Sequence, residues 1–309
     1  MRPGEGQEVR RLLQPRENCP FEDPEKSGNE VVATFLNGDR TDWIAKAVKN
    51  KFPAVAEGEA GETHKVGPFN ALGGRGVHEI VIFRDHERDF YEFSKEEISE
   101  IFKIYKERYV ATLNGGSRRY TLIFHNHGAQ AGATVQHPHS QIISIPILPP
   151  DVERSIRGSE DFYRKHGRKV YDVMLDWEMR EKKRIVYENK GFLVFCPFVS
   201  KTEYEVRIFC KEGHSHFEKM PEELFADLGD AFGATMKKMG RALDKPDFNF
   251  FIHTSPIDSA APKAHEFYSW HIEILPKVAS VGAFELASGM EINVIDPDEA
   301  AKLFRETEI

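Results

Sequence analysis

The chain has 309 residues, 40% of them hydrophobic and 30% charged, and a net charge of −8. That length suits two domains of about 150 residues. The acidic balance excludes a nucleic-acid-coating surface, which needs concentrated positive charge, and no apolar run reaches the roughly 18–20 residues of a membrane span.

The opening "MRPGEGQEVRRLLQPRENCPFEDP" is polar and lacks the apolar core of a secretory signal. The first forty residues read as irregular, with the turn-rich "NCPFEDPEKSGNE" among them. "GVHEIVIF", residues 76–83, is rich in β-branched side chains and predicts a strand. "SKEEISEIFKIYKERYVATL" predicts a helix with Ser94 as N-cap and Ile98, Ile101, Phe102 and Tyr105 on one face. "RRYTLIFHNHG" is a strand ending in a turn, and "GATVQHPHSQIISIPILPP", residues 132–150, leads into another. The charged segment from Pro149 to Arg184 reads as a helical connector. Beyond it, "FLVFCPFVSKTEYEVRIFCKEGH" gives two strands broken at Pro197. "MPEELFADLGDAFGATMKKMGRAL" gives a helix, and "FNFFIHTSP" and "EFYSWHIEILPKV" two further strands. Three cysteines make no disulfide framework, so the expected compartment is a reducing cytoplasm.

The second half repeats the order of the first. "FNFFIHTSP" matches "YTLIFHNHG", and "EFYSWHIEILPKV" matches "VQHPHSQIISIPI", each pair ending one apolar strand and entering another at a histidine. This predicts an internal duplication of a unit of roughly 100 residues or more. The expected class is α+β: two tandem halves, each an antiparallel sheet with a helix packed on it. Residues 1–150 form the first half, 151–184 the connector and 185–309 the second half, with the two sheets face to face or side by side.

His137, Pro138, His139 and Gln141 stand at the entry to a strand. Residue types alone leave four readings: a metal pair, a satisfied core histidine, chance in a chain with 13 histidines, or a nucleophile with its supports. The motif His-x-His-x-Gln after a small-residue turn resembles the galactose-1-phosphate uridylyltransferase branch of the histidine-triad superfamily. "CPFEDPEKSGNE", "VKNKFPAV" and "GVHEIVIFRDH" resemble, in order, that family's front motif, its base-site loop and its strand before a zinc histidine. The tail "WHIEILPKVASVGAFELASGMEINVIDPDEAAKLFRE" is similar to the ADP-glucose phosphorylase subgroup.

The resemblance implies a nucleotidyltransferase exchanging a nucleoside monophosphate between a nucleotide sugar and a sugar 1-phosphate, with UDP-glucose and galactose 1-phosphate leading. ADP-glucose phosphorolysis is the enzymatic alternative, and a non-catalytic nucleotide-binding protein the alternative of another class. His139 is then the nucleophile. The backbone carbonyl of His137 accepts its ring proton, with Pro138 helping to fix that carbonyl. Histidine-triad hydrolases carry a third histidine where this chain has Gln141. An amide is no general acid near neutral pH, but it donates to a phosphoryl oxygen, which suits exchange between sugar phosphates.

Asn126 and Thr134 match phosphate contacts, beside Gly128, Gly132 and Ala133. Asn50 and Phe52 match base and ribose contacts, although Lys51 departs from the acidic residue of bacterial relatives. Glu285 matches a hexose-binding glutamate. Cys19, His86 and His137 match three ligands of a structural zinc, and Glu22 replaces the usual second cysteine as fourth. A second metal site of some relatives is expected to be absent, since Ser269 stands where a ligand would precede His271. His253 and His271 are then scaffold. The family precedent further implies a homodimer, while the charge and the lack of a long apolar run imply no nucleic-acid or membrane partner. Relatives usually open with a strand before the segment that begins here at Arg2; with Met1 almost on that segment, the strand is expected to be missing or the start misassigned.

Overall fold

The front of the chain is more regular than its turn residues suggest. In the computed structural model, residues 15–58, 63–113, 120–257, 265–280 and 282–309 are described, and strand β1 (Val31–Leu36) already lies within the forty residues expected to be irregular. Its β-branched run "VVATFL" is short and bounded on both sides by Gly and Asn, so turn chemistry hid it. The segment at Arg2, on which the question of a first strand turns, lies outside the described residues.

Then follow β2 (Trp43–Lys49), the short β3 (Ala56–Glu57), a hairpin of β4 (His64–Val66) and β5 (Phe69–Ala71), β6 (Arg75–Phe83), α1 (Lys95–Leu113), β7 (Tyr120–His127) and β8 (His139–Ile145). The connector is two helices, α2 (Pro150–His166) and α3 (Val170–Glu181). The remainder is β9 (Ile185–Glu188), β10 (Phe192–Phe195), β11 (Val206–Cys210), α4 (Phe225–Ala242), β12 (Phe248–His253), β13 (His271–Pro276), α5 (Ala283–Ser288) and α6 (Pro297–Glu306). Helix α1 starts where expected: the Ser94 hydroxyl accepts the Glu97 N–H at 3.1 Å, and the Glu97 carboxylate accepts the Ser94 N–H at 2.7 Å.

The main sheet runs β1-β2-β6-β8-β7-β12-β13-β11-β10-β9, with β3 paired to β6. The order mirrors itself about β7 and β12, as a duplicated unit requires. These two strands pair antiparallel from Phe248 opposite His127 to Ile252 opposite Ile123, so the halves lie edge to edge in one sheet.

The alternation of strand side chains divides the labour of the two faces. Ile123, Ile142, Ile208, Ile252 and Ile272 point to one face and bury against Phe102, Tyr105, Phe232 and Met236 of α1 and α4. On the other face, Cys19 and Phe21 cover Val48, Ile80 and Ile82, while the connector helices cover Phe195 and Phe209. Residues 139 and 141, one position either side of Ser140 and out of phase with Ile142, look toward this second face.

Helices α1 and α4 approach closely because α4 carries Gly229 and Gly233 at the contact. A Cβ at Gly229 would collide with the Lys95 carbonyl and press on Ser99. Ala is favoured over Gly in a helix by about 1 kcal/mol, but overpacking costs about 1–3 kcal/mol, so collision wins. Gly229→Ala should therefore lower the urea midpoint, whereas Gly158→Ala on the exposed side of α2, where a Cβ meets nothing within 4 Å, should leave it unchanged or raise it.

Candidate functional site

Pro138 precedes the first residue of β8 and brings His139 onto the sheet with its ring folded back along its own strand. His139 Nδ1 lies 2.9 Å from the His137 carbonyl oxygen. A carbonyl only accepts, so Nδ1 carries the proton and Nε2 keeps its lone pair. His139 is 8% exposed, and burial pulls its ring below the ordinary value, so it is neutral at pH 7. The edge of Phe21 closes on it with ring centres 5.0 Å apart. A neutral, oriented imidazole with one free nitrogen is a competent nucleophile. Its neighbour Ser140 points to the helix face, where its hydroxyl meets Tyr105 at 2.6 Å and His125 Nδ1 at 2.9 Å.

Gln141 follows on the same face as His139. Its Oε1 lies 2.8 Å from Nε2 of His78, a residue of β6 that the sequence reading passed over. The available signal was phase: His78 alternates in step with Ile80 and Ile82, and Ile80 pairs with Gln141 in register. His78 Nδ1 in turn accepts the Ala54 backbone N–H at 3.0 Å. Asn50 continues β2 beside it, its N–H donating to the His78 carbonyl at 2.9 Å. Its side-chain oxygen accepts the Phe52 N–H at 2.9 Å, and Phe52 presents a ring 89% exposed. Lys51 turns back to the Ser27 carbonyl.

The turn between β7 and β8 supplies the remaining polar groups. Phe124 stands opposite Gln141, so Asn126, two residues on, shares its face. The Asn126 side-chain oxygen accepts from Asn249 of β12 at 2.8 Å, which ties it to the second half. Gly128 has φ +80°, and a Cβ there would strike the Asp247 carboxylate. That carboxylate holds the turn by accepting the Gln130 N–H at 2.8 Å. Thr134 is exposed on the same connection.

Cys19, His86 and His137 converge, with ligand atoms within 4.8 Å of one another. Cys19 Sγ is 3.5 Å from His137 Nδ1, and His86 Nδ1 is 3.1 Å from it. Glu22 Oε2 joins them at 3.2 Å from His86 Nδ1 and 3.8 Å from His137 Nδ1. Bonds of about 2.0–2.3 Å to a tetrahedral ion separate ligand atoms by about 3.3–3.8 Å, close to these spacings. Two further observations fit a cation. Glu22 Oε2 is buried without a hydrogen-bond partner. His137 Nε2 donates to the Phe83 carbonyl at 2.6 Å, which leaves Nδ1 unprotonated toward the cluster.

The second half repeats the backbone device: His271 Nδ1 donates to the Ser269 carbonyl at 3.1 Å. His253, His271 and Glu273 also bring donor atoms within 4.8 Å of one another. Here, however, the Glu273 carboxylate pairs with Arg207 at 3.2 Å and Lys201 at 3.3 Å, and Arg207 holds Glu205 at 2.7 Å. Cationic side chains thus already neutralise this cluster. Glu285 accepts the Gly282 N–H at 3.1 Å and caps α5; that cap, rather than a contact with β8, is what its geometry shows.

A family model described as galactose-1-phosphate uridyl transferase, N-terminal domain, matches residues 34–149. An ADP-glucose phosphorylase of Arabidopsis thaliana is 29% identical over 273 residues, 86% of this chain and 75% of that protein. A galactose-1-phosphate uridylyltransferase of Thermotoga maritima is 26% identical over 269 residues, 84% of each. Among solved structures, a GalT-like protein of Arabidopsis thaliana superposes with a TM-score of 0.82 at 27% identity, covering 94% of this chain and 92% of the other. An ADP-glucose phosphorylase from the same plant, with bound ADP-glucose, gives 0.80 at 25% identity, covering 94% and 91%.

Beneath the site, burial holds His125 well below its ordinary value of 6.5, with His127 and His139 adding to the effect. The unfolded chain takes up that proton near 6.5 and the folded one does not. The His125 contribution to stability is therefore complete above about pH 6.5 and is lost as the pH falls below it. Denaturant midpoints should drop between about pH 7 and 5, and His125→Phe should flatten the slope. Equal slopes in both proteins would contradict this.

Proposed function

We propose that the chain is a member of the galactose-1-phosphate uridylyltransferase family and moves a nucleoside monophosphate between a nucleotide sugar and a sugar 1-phosphate through His139. The bond from His139 Nδ1 to the His137 carbonyl carries this reading, because it leaves Nε2 with a free lone pair. Nε2 attacks the α-phosphorus, a P–N bond forms, and the P–O bond to the departing sugar 1-phosphate breaks. An incoming sugar 1-phosphate oxygen then attacks the same phosphorus and releases the histidine. The leaving group is a stable anion, so no general acid is needed, and an amide at position 141 suffices to donate to the phosphoryl oxygen.

Asn126, Thr134 and the backbone of the turn at residues 128–133 are assigned to the phosphates, where N–H groups act as fixed dipoles. Asn50 and the exposed ring of Phe52 are assigned to base and ribose. Glu285 is assigned to the hexose, and would exchange its cap bond for that contact. The exposed apolar row Phe284, Leu286, Met290, Ile292 and Val294 supports a homodimer, and three buried unpaired cysteines suit a reducing cytoplasm.

Cys19, Glu22, His86 and His137 fit zinc, which would act as a structural ion, tying the N-terminal segment to the residue whose carbonyl holds His139. UDP-glucose and galactose 1-phosphate are the leading pair, on the uridylyltransferase relatives and the Asn50–Phe52 turn. ADP-glucose with inorganic phosphate is the second reading, favoured by the Arabidopsis phosphorylase at 29% identity.

Labelled nucleotide sugar without acceptor should leave an acid-labile nucleotidyl adduct on the wild-type protein and none on His139→Gly. Comparing UDP-glucose with ADP-glucose as donor decides the base, and full exchange by His139→Gly would end the mechanism. For the metal, purified protein should hold about one zinc per chain, lost in Cys19→Ser and His86→Ala together with part of the thermal stability. Protein free of zinc without ever meeting a chelator would refute the assignment.

A further inference from the structure

We infer that His78 is a positioning residue that fixes which end of the Gln141 amide faces the phosphoryl group. The inference deepens the reading of His139 as nucleophile and rests on it for its catalytic part. Three hydrogen-bond assignments lead to it in sequence. The Ala54 N–H can only donate, and its partner at 3.0 Å is His78 Nδ1, so that nitrogen is the unprotonated one. The proton of the neutral ring therefore sits on Nε2. The group 2.8 Å from Nε2 must then accept, which places the Gln141 carbonyl oxygen against His78 and turns its NH2 the other way.

A glutamine amide is nearly symmetric in shape, and its two orientations are opposite in effect. With NH2 toward a phosphate it stabilises the anion; with the oxygen there it repels it. A strand alone does not choose between these states, and His78 does. Asn50 Nδ2 does not compete for the role. It lies 3.4 and 3.1 Å from the two ring nitrogens, nearly equidistant, so it falls on neither lone-pair direction. Burial lowers the His78 pKa, which keeps the ring neutral at pH 7, and among the described residues no charged side chain hydrogen-bonds to it.

The same ring connects two parts of the site. Ala54 closes the turn that begins at Asn50 and Phe52, and Gln141 sits on the strand of His139. A nucleobase that orders this turn also orders the Ala54 N–H, and through His78 the donor for phosphorus. Base recognition and phosphoryl stabilisation are thereby joined through one neutral imidazole, two strands apart.

The test has two parts. Long-range 15N–1H spectra of the histidine rings at neutral pH should show His78 protonated on Nε2 alone. A ring protonated on Nδ1, or on both nitrogens, overturns the inference whatever the enzyme does. In kinetics, His78→Leu should lower kcat by about tenfold with a smaller change in KM. The same substitution in a Gln141→Ala background should cost nothing further, because the residue it positions is gone. Equal losses in both backgrounds, or no loss in either, would mark His78 as a packing residue only. A wild-type protein that forms no nucleotidyl adduct with any nucleotide sugar would overturn the His139 reading instead, and the tautomer would still decide His78.

Discussion

One hydrogen bond organises the rest: the ring N–H of His139 to the carbonyl two residues back. It is short-range in sequence yet depends on long-range restraint, because a carbonyl at the end of a strand is free to rotate unless something holds it. Pro138 limits the backbone on one side. His137 is held on the other by its own bond to Phe83 and by the cluster with Cys19 and His86. Ser140, the next residue along, is anchored beneath the sheet by Tyr105 and His125. His139 thus sits between two fixed points on opposite faces, and its free nitrogen has little choice of direction.

The electrostatics follow from the same burial. The chain is acidic overall, yet the groups named around residue 139 are neutral donors: amides, a hydroxyl and backbone N–H groups. Desolvation keeps His78, His125 and His139 uncharged. Under the proposed function, such a site would receive an anion through oriented dipoles, which need no reorganisation as charge shifts between oxygens. Charge is used instead in the second half, where Arg207 and Lys201 close the corresponding cluster around Glu273.

Much of this was legible in the sequence where the signal is local. The cap at Ser94, the strand after Pro138 and the repeated order of elements all depend on residue types a few positions apart or on ordered motifs, whereas the set Cys19, His86 and His137 came from the resemblance to a family's metal ligands. What escaped depends on pairing. His78 lies in an alternating apolar run and reads as a core position until β6 is set against β8 and Ile80 meets Gln141. β1 disappeared between two turn-rich segments, and only its partner β2 makes it a strand. Whether the two halves stacked or lay side by side rested on the pairing of β7 with β12, a contact between residues more than a hundred positions apart.

That pairing explains why a half without the His-Pro-His pair is kept. β7 lies next to the strand of His139, and its outer edge would otherwise expose a row of unsatisfied N–H and C=O groups, the template on which sheets from separate molecules add to one another. β12 occupies that edge from residue 248 to residue 252, and Asn249 fastens Asn126 from the same side. The second half therefore serves as a built-in guard against edge-to-edge aggregation, one strand removed from the strand of His139.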